Sequence, residues 1–261
     1  MNSNELQKHI EATYFTLRIG LAILAVLFPF ILSLGGYLGY QIPLRGSMSE
    51  YYHANQAVKC PYRLAAPQQA PSPPAMAATT KSCLELPHAT PTDAPMRDWF
   101  VGILFAVGAF LYLYKGFSTA ENIALNVAGI LAWGIALFPM SCSCEEVSDK
   151  FSAHGICAVG FFACIAFVSI FCSGNTLHLM QDEARRKRFR AVYKVLGLAM
   201  LILPATAFVL SIVARLQDHA VFYVEAAGIF AFAAYWLTKS RELTQTQADH
   251  RALQGAMPPA T

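Results

Sequence analysis

A few polar residues in this chain are of types that do chemistry together. In the string SMSEYYH, Ser49 stands four positions before His53. On a turn, that spacing lets a hydroxyl meet an imidazole as a nucleophile–base pair, and the same hydroxyl would equally cap the turn. His53, Asp98 and His154, with His219 and Glu225, make an imidazole and carboxylate set. Zinc is the cofactor such a set would take, polarising a carbonyl and activating water. No HExxH or HxxxH pair is present, so zinc rests on donor type alone. Arg45, Ser47, Tyr52, Arg97 and Glu225 are the candidate ligand pocket.

Glu225 carries the sharpest signal. It lies between FYV and AAG, inside the last apolar stretch. A charge at mid-membrane costs roughly 2.5 kcal/mol or more and calls for a partner facing the bundle interior. Arg97 and His154 are the candidate partners. An ion pair locking helices and a proton, metal or substrate role both fit. Asp98 and His154 also have plainer readings, as a first-turn carboxylate favoured by the helix dipole and as an interfacial hydrogen-bonder.

The seven cysteines fall into two sets. Cys60, Cys83, Cys142 and Cys144 lie in loops on one side, where Cys60–Cys83 is the disulfide candidate and three pairings stay open. Cys142 and Cys144 form a CxC, not the CxxC of redox sites. Cys157, Cys164 and Cys172 lie within one apolar segment and read as small packing residues.

The elements that must position these groups are six apolar segments, at Phe15–Tyr37, Trp99–Tyr114, Ile123–Met140, Gly155–Cys172, Val192–Val213 and Val221–Leu237. A hydrocarbon core of about 30 Å takes about 20 helical residues to cross, and lipid admits only helices or closed barrels. Long, non-alternating runs mean helices. The expected fold is an all-α polytopic membrane protein, six transmembrane helices in one bundle. At 13% charged residues, the chain holds half the roughly 25% of a soluble domain. A net charge of +3 leaves nucleic acid without support as a partner.

Basic residues concentrate on the side of the chain ends, above all in ARRKRFR at Ala184–Arg190. The positive-inside rule puts both termini in the cytoplasm, and the run could also meet anionic lipid. The first helix reads as a retained signal-anchor, and Arg18 near its cytoplasmic end as a snorkelling side chain. Trp99, Tyr112, Tyr114, Tyr235 and Trp236 read as interfacial anchors. Residues 1–240 form the helical domain. Residues 61–82 are a Pro/Ala-rich disordered insert in the first outer loop, and 241–261 a polar cytoplasmic tail. Ser118 or Thr119 caps the third helix. With the ends inside, Arg45 to His53, Arg97, Asp98, His154 and Glu225 meet at the outer face.

The strings SMSEYYH, MRDWFVGILFAVGAFLYLYKGF, ENIALNVAGILAWGIALFP and FYVEAAGIFAFAAYWLTKS resemble a bacterial group of six-helix proteins of the domain-of-unknown-function 998 type. That resemblance implies six helices and a polar outer site, and assigns no reaction; the expected location is the bacterial inner (plasma) membrane. More remotely, the layout is similar to the DRAM and GPI-lipid-remodelling six-span proteins. There a Ser-containing segment follows helix one, an acidic residue precedes helix two and a His opens helix four; Ser49, Asp98 and His154 stand at those places. A further likeness is to the CREST membrane hydrolases, which use a Ser, an Asp and several His around zinc. This chain lacks their seventh helix and its paired histidines.

Three functions follow from the sequence. The first is a non-catalytic membrane protein that binds or senses membrane lipids through the outer-face pocket. The second is a membrane-embedded lipid amide or ester hydrolase, with or without zinc, using Ser49, His53, Asp98 and His154. The third is a small-solute or proton-coupled transporter with Glu225 as carrier, although the chain shows no internal repeat.

Overall fold

A computed structural model of the chain describes residues 3–54, 94–138, 152–213 and 219–255. Among them there is no strand, and six helices are long and apolar enough to cross a membrane. The protein is an all-α polytopic bundle. The insert at 61–82 and Cys60, Cys83, Cys142 and Cys144 lie outside the described residues.

The first span joins α1 (Ser3–Phe30), a π turn (Ile31–Gly35) and α2 (Gly36–Tyr40). Pro29 brings no N–H to the helix ladder, and the helix widens just after it. Gln41, in the left-handed region at φ 54°, stops the span, and its N–H reaches back to the Tyr37 carbonyl at 3.0 Å. A 3-10 turn (Ser49–Tyr52) follows. The remaining spans are α3 (Pro95–Leu113), α4 (Thr119–Leu137), α5 (Ala153–Phe167) with its π turn (Val168–Cys172) and α6 (Gly174–Leu177), α7 (Glu183–Val213) and α8 (Ala220–Thr246). A short α9 (Ala248–Leu253) ends the described chain.

The spans close into a ring. Each of α1, α3, α4, α5, α7 and α8 packs on its sequence neighbours, and α8 returns to α1. Inside lie Leu21, Phe28, Phe100, Leu125, Phe161, Phe232 and Trp236. Outside, Ile23, Leu34, Val195, Leu198 and Ile202 stand exposed, a surface that suits lipid rather than water. The tightest seam joins α3 to α4. A Cβ on Gly129 would sit 2.6 Å from the Gly108 carbonyl, so only glycine lets these backbones meet. Ser118, one of the two expected caps, accepts the Glu121 N–H at 3.2 Å at the start of α4. Ser152, which the sequence reading did not single out as a cap, does the same for α5, accepting the Gly155 N–H at 3.1 Å.

Three expectations fail at the chain-end face. The segment after residue 240 is helical to Leu253 and packed, with Glu242, Leu243, Thr246 and Ala248 buried. Arg18 does not snorkel; it is buried and grips Asp249 of α9 with two hydrogen bonds, of 3.2 and 2.6 Å. Of the five aromatic anchors, Trp99 and Tyr112 are exposed, whereas Tyr114, Tyr235 and Trp236 are core residues stacked edge to face.

Candidate functional site

The segment after α2 is held from below by α8. The Phe222 N–H donates to the Gly46 carbonyl at 2.8 Å, which brings residues 46–49 over the first turns of α8. Glu225 faces them one turn further in. Its carboxylate accepts the Met48 N–H at 2.7 Å and the Ser47 hydroxyl at 2.9 and 3.0 Å. Ser47 Oγ in turn accepts the Ser49 N–H at 3.2 Å. Glu225 therefore fixes the backbone that carries Ser49.

Ser49 Oγ lies 2.8 Å from Nε2 of His154, the second residue of α5. The other ring nitrogen decides the proton's place. Nδ1 stands 2.9 Å from the Phe138 carbonyl and 3.2 Å from that of Ile135, two groups that only accept. Nδ1 must carry the hydrogen, Nε2 is left as the acceptor, and the Ser49 hydroxyl donates to it. His154 is buried and Ser49 half-buried. Such a pair can move a proton from a hydroxyl to an imidazole as the oxygen attacks a carbonyl.

The surrounding groups take other places. His53 follows the 3-10 turn with its ring against Tyr52, and Ser49 pairs with His154 instead. Arg97 turns to Tyr52, with its guanidinium 5.1 Å from the ring centroid and Nε donating to the backbone carbonyl at 3.4 Å. Neither of the partners expected for Glu225, Arg97 and His154, is the one it has; it is held by a hydroxyl and a backbone N–H. Asp98 is exposed on the first turn of α3. Arg45 uses its backbone, donating N–H to the Tyr51 hydroxyl at 3.4 Å and accepting from His219 Nδ1 at 3.2 Å. Burial raises the Tyr51 phenol above its ordinary range, so it stays protonated. The candidate zinc ligands His53, Asp98 and His154 do not gather. Among the described residues no three His, Cys, Asp or Glu side chains stand together as a metal site.

Exposed aromatics Tyr37, Tyr40, Trp99, Phe138 and Tyr223 surround this end of the bundle. Aromatic belts of this kind mark the depth of the lipid head groups.

A second polar set, which the sequence reading missed, lies at the chain-end face. Lys239 Nζ donates to Thr176 Oγ1 at 2.8 Å and to Glu242 at 3.2 Å, and the Tyr193 hydroxyl donates to Glu242 at 3.0 Å. Glu121, buried at the start of α4, accepts the Phe117 N–H at 3.1 Å and Asn175 Nδ2 at 3.3 Å. These contacts tie α4, α6, α7 and α8 together, and they leave one oxygen of the buried Glu242 carboxylate, Oε1, without a hydrogen-bond partner.

No family model, curated protein or solved structure matches this chain.

Proposed function

We propose that the protein is a membrane-embedded serine hydrolase for lipid esters or amides, with Ser49 as nucleophile and His154 as general base. The observation that carries the reading is the 2.8 Å contact from Ser49 Oγ to a His154 Nε2 whose lone pair is free to receive the proton. The aromatic belt at that level supports a lipid substrate, because ester and amide linkages of lipids lie in the head-group layer. Ser49 Oγ attacks the carbonyl carbon as its proton passes to Nε2. The imidazolium so formed keeps Nδ1–H on the Phe138 carbonyl. Nε2–H then protonates the departing alkoxide or amine. Water, deprotonated by Nε2, cleaves the acyl-serine and restores both groups. Glu225 is a positioning residue, acting through Ser47 and Met48.

A fluorophosphonate probe tests this on the purified protein. It should label Ser49 covalently, Ser49→Ala should remove the label, and His154→Ala should slow it by about 10²-fold or more. A folded protein that stays unlabelled would reject the reaction. Binding or sensing of lipid without turnover would then be the better reading. It draws on one observation: the third partner in line is a backbone carbonyl rather than a carboxylate, so the imidazolium has no counter-charge there.

A further inference from the structure

The basic run at the start of α7 is left largely unspent by the fold. Six bases lie between Arg185 and Lys194, with Asp182 and Glu183 just before them. Those two acids are taken up locally, Asp182 by Arg185 at 3.1 Å and Glu183 by Lys187 at 2.9 Å. Arg186, Arg188, Arg190 and Lys194 have no acidic partner among the described residues. Arg188, Arg190 and Lys194 are exposed and Arg186 half-buried.

The helix places this charge just beyond its apolar stretch, over about 12 Å of axis from Arg186 to Lys194. Tyr193 and Met200 turn into the bundle, while the exposed face passes directly from Arg190 and Lys194 to Val195, Leu198 and Ile202. At 1.5 Å per residue, Arg190 to Val195 is about 7.5 Å, comparable to the thickness of a head-group layer. Lys8, Lys115 and Arg241 are exposed at the same end of the bundle. α7 is also the least enclosed of the six spans. Lipid thus has open access along the very face that carries the cations.

From this we infer that the first three turns of α7 bind the head groups of anionic phospholipids in the leaflet on the chain-end side. Recognition is by charge: a row of guanidinium and ammonium groups over phosphate, with the acyl chains lying along Val195, Leu198 and Ile202. The site lies at the opposite end of the bundle from Ser49 and His154 and does not depend on their reaction.

Native mass spectrometry of the full chain purified in detergent tests it, with phosphatidylglycerol and phosphatidylcholine of matched acyl chains as probes. Phosphatidylglycerol should be retained about tenfold or more over phosphatidylcholine, and rising salt should erase the preference. The combined variant Arg186→Gln, Arg188→Gln, Arg190→Gln and Lys194→Gln should bring the two lipids level, while replacing the same arginines by Lys should keep the preference. Inorganic phosphate at the lipid's concentration should not displace phosphatidylglycerol. Equal retention of the two lipids by the parent protein, a salt-insensitive ratio, displacement by phosphate, or an unchanged ratio in the glutamine variant would each overturn the inference. Should the glutamine variant not fold, the salt titration of the parent protein decides alone.

Discussion

At the scale of single residues, Glu225 shows why a carboxylate can sit inside a span without a cation. Two donors already point at it, the Met48 N–H and the Ser47 hydroxyl. Glu225→Gln keeps an acceptor and should cost about 1 kcal/mol, the difference between a charged and a neutral hydrogen bond. Glu225→Leu strands the buried Met48 N–H and should cost about 1–3 kcal/mol. Thermal unfolding in detergent should rank the three proteins in that order, and a Leu variant as stable as the parent would contradict the anchoring role. The His154 tautomer is open to a direct check. Nitrogen-15 NMR should find Nδ1 protonated and Nε2 bare, and an Nε2–H form would leave Ser49 without its base. Ser49, His154 and Glu225 were each legible in the sequence as candidates. Their pairing was not, because local spacing offers Ser49 only His53, whereas His154 is 105 positions away and arrives through the packing of α5. The carbonyls that fix its tautomer have no sequence signature at all.

Among the elements, the six spans were legible because hydropathy depends on burial in lipid and not on topology. Their ends were read less well. A charge near the end of an apolar run reads as a residue that must reach water, which is why Arg18 reads as a snorkelling side chain and Glu242 as part of a polar tail. Paired charges need no water, and α8 runs on past them to Thr246 because Lys239 meets Glu242 and Thr176. The same logic makes α9 a clasp on α1. Removing one partner of a buried pair costs more than removing both, since the survivor is left charged and alone. Arg18→Met should therefore destabilise by about 3–5 kcal/mol, and adding Asp249→Leu should recover much of the loss. A double-mutant cycle on thermal unfolding measures this, and additive losses would show the clasp to be idle. The α3–α4 seam makes a separate demand. Gly129→Ala puts a methyl on the Gly108 carbonyl, a rigid backbone group, and should cost about 1–3 kcal/mol by the same measurement.

For the molecule as a whole, the ring of spans has one direct consequence. Six crossings return the chain to its starting side, and the structure bears this out in contacts between the two described ends. Gln7 Nε2 donates to the His250 carbonyl at 3.2 Å, and Arg18 holds Asp249. The Ser49–His154 pair stands at the other end of the helices, so the basic turns of α7 and the candidate reactive pair must face opposite compartments. For which compartment each faces we propose a charge rule: Lys and Arg gather at the chain-end side and resist translocation, which would keep that side in the cytoplasm. In a background with the native cysteines replaced by Ser, single cysteines at exposed positions report this directly. Pro43→Cys should react with an impermeant maleimide on intact cells, whereas Arg188→Cys and Gln254→Cys should react only after the membrane is opened. Labelling of Arg188→Cys but not Pro43→Cys from outside would invert the assignment and carry the candidate reactive pair to the cytoplasmic leaflet. Labelling of Arg188→Cys and Gln254→Cys from opposite sides would be graver. The two lie at the same end of one closed ring, and no six-span arrangement with α8 packed on both α1 and α7 could separate them.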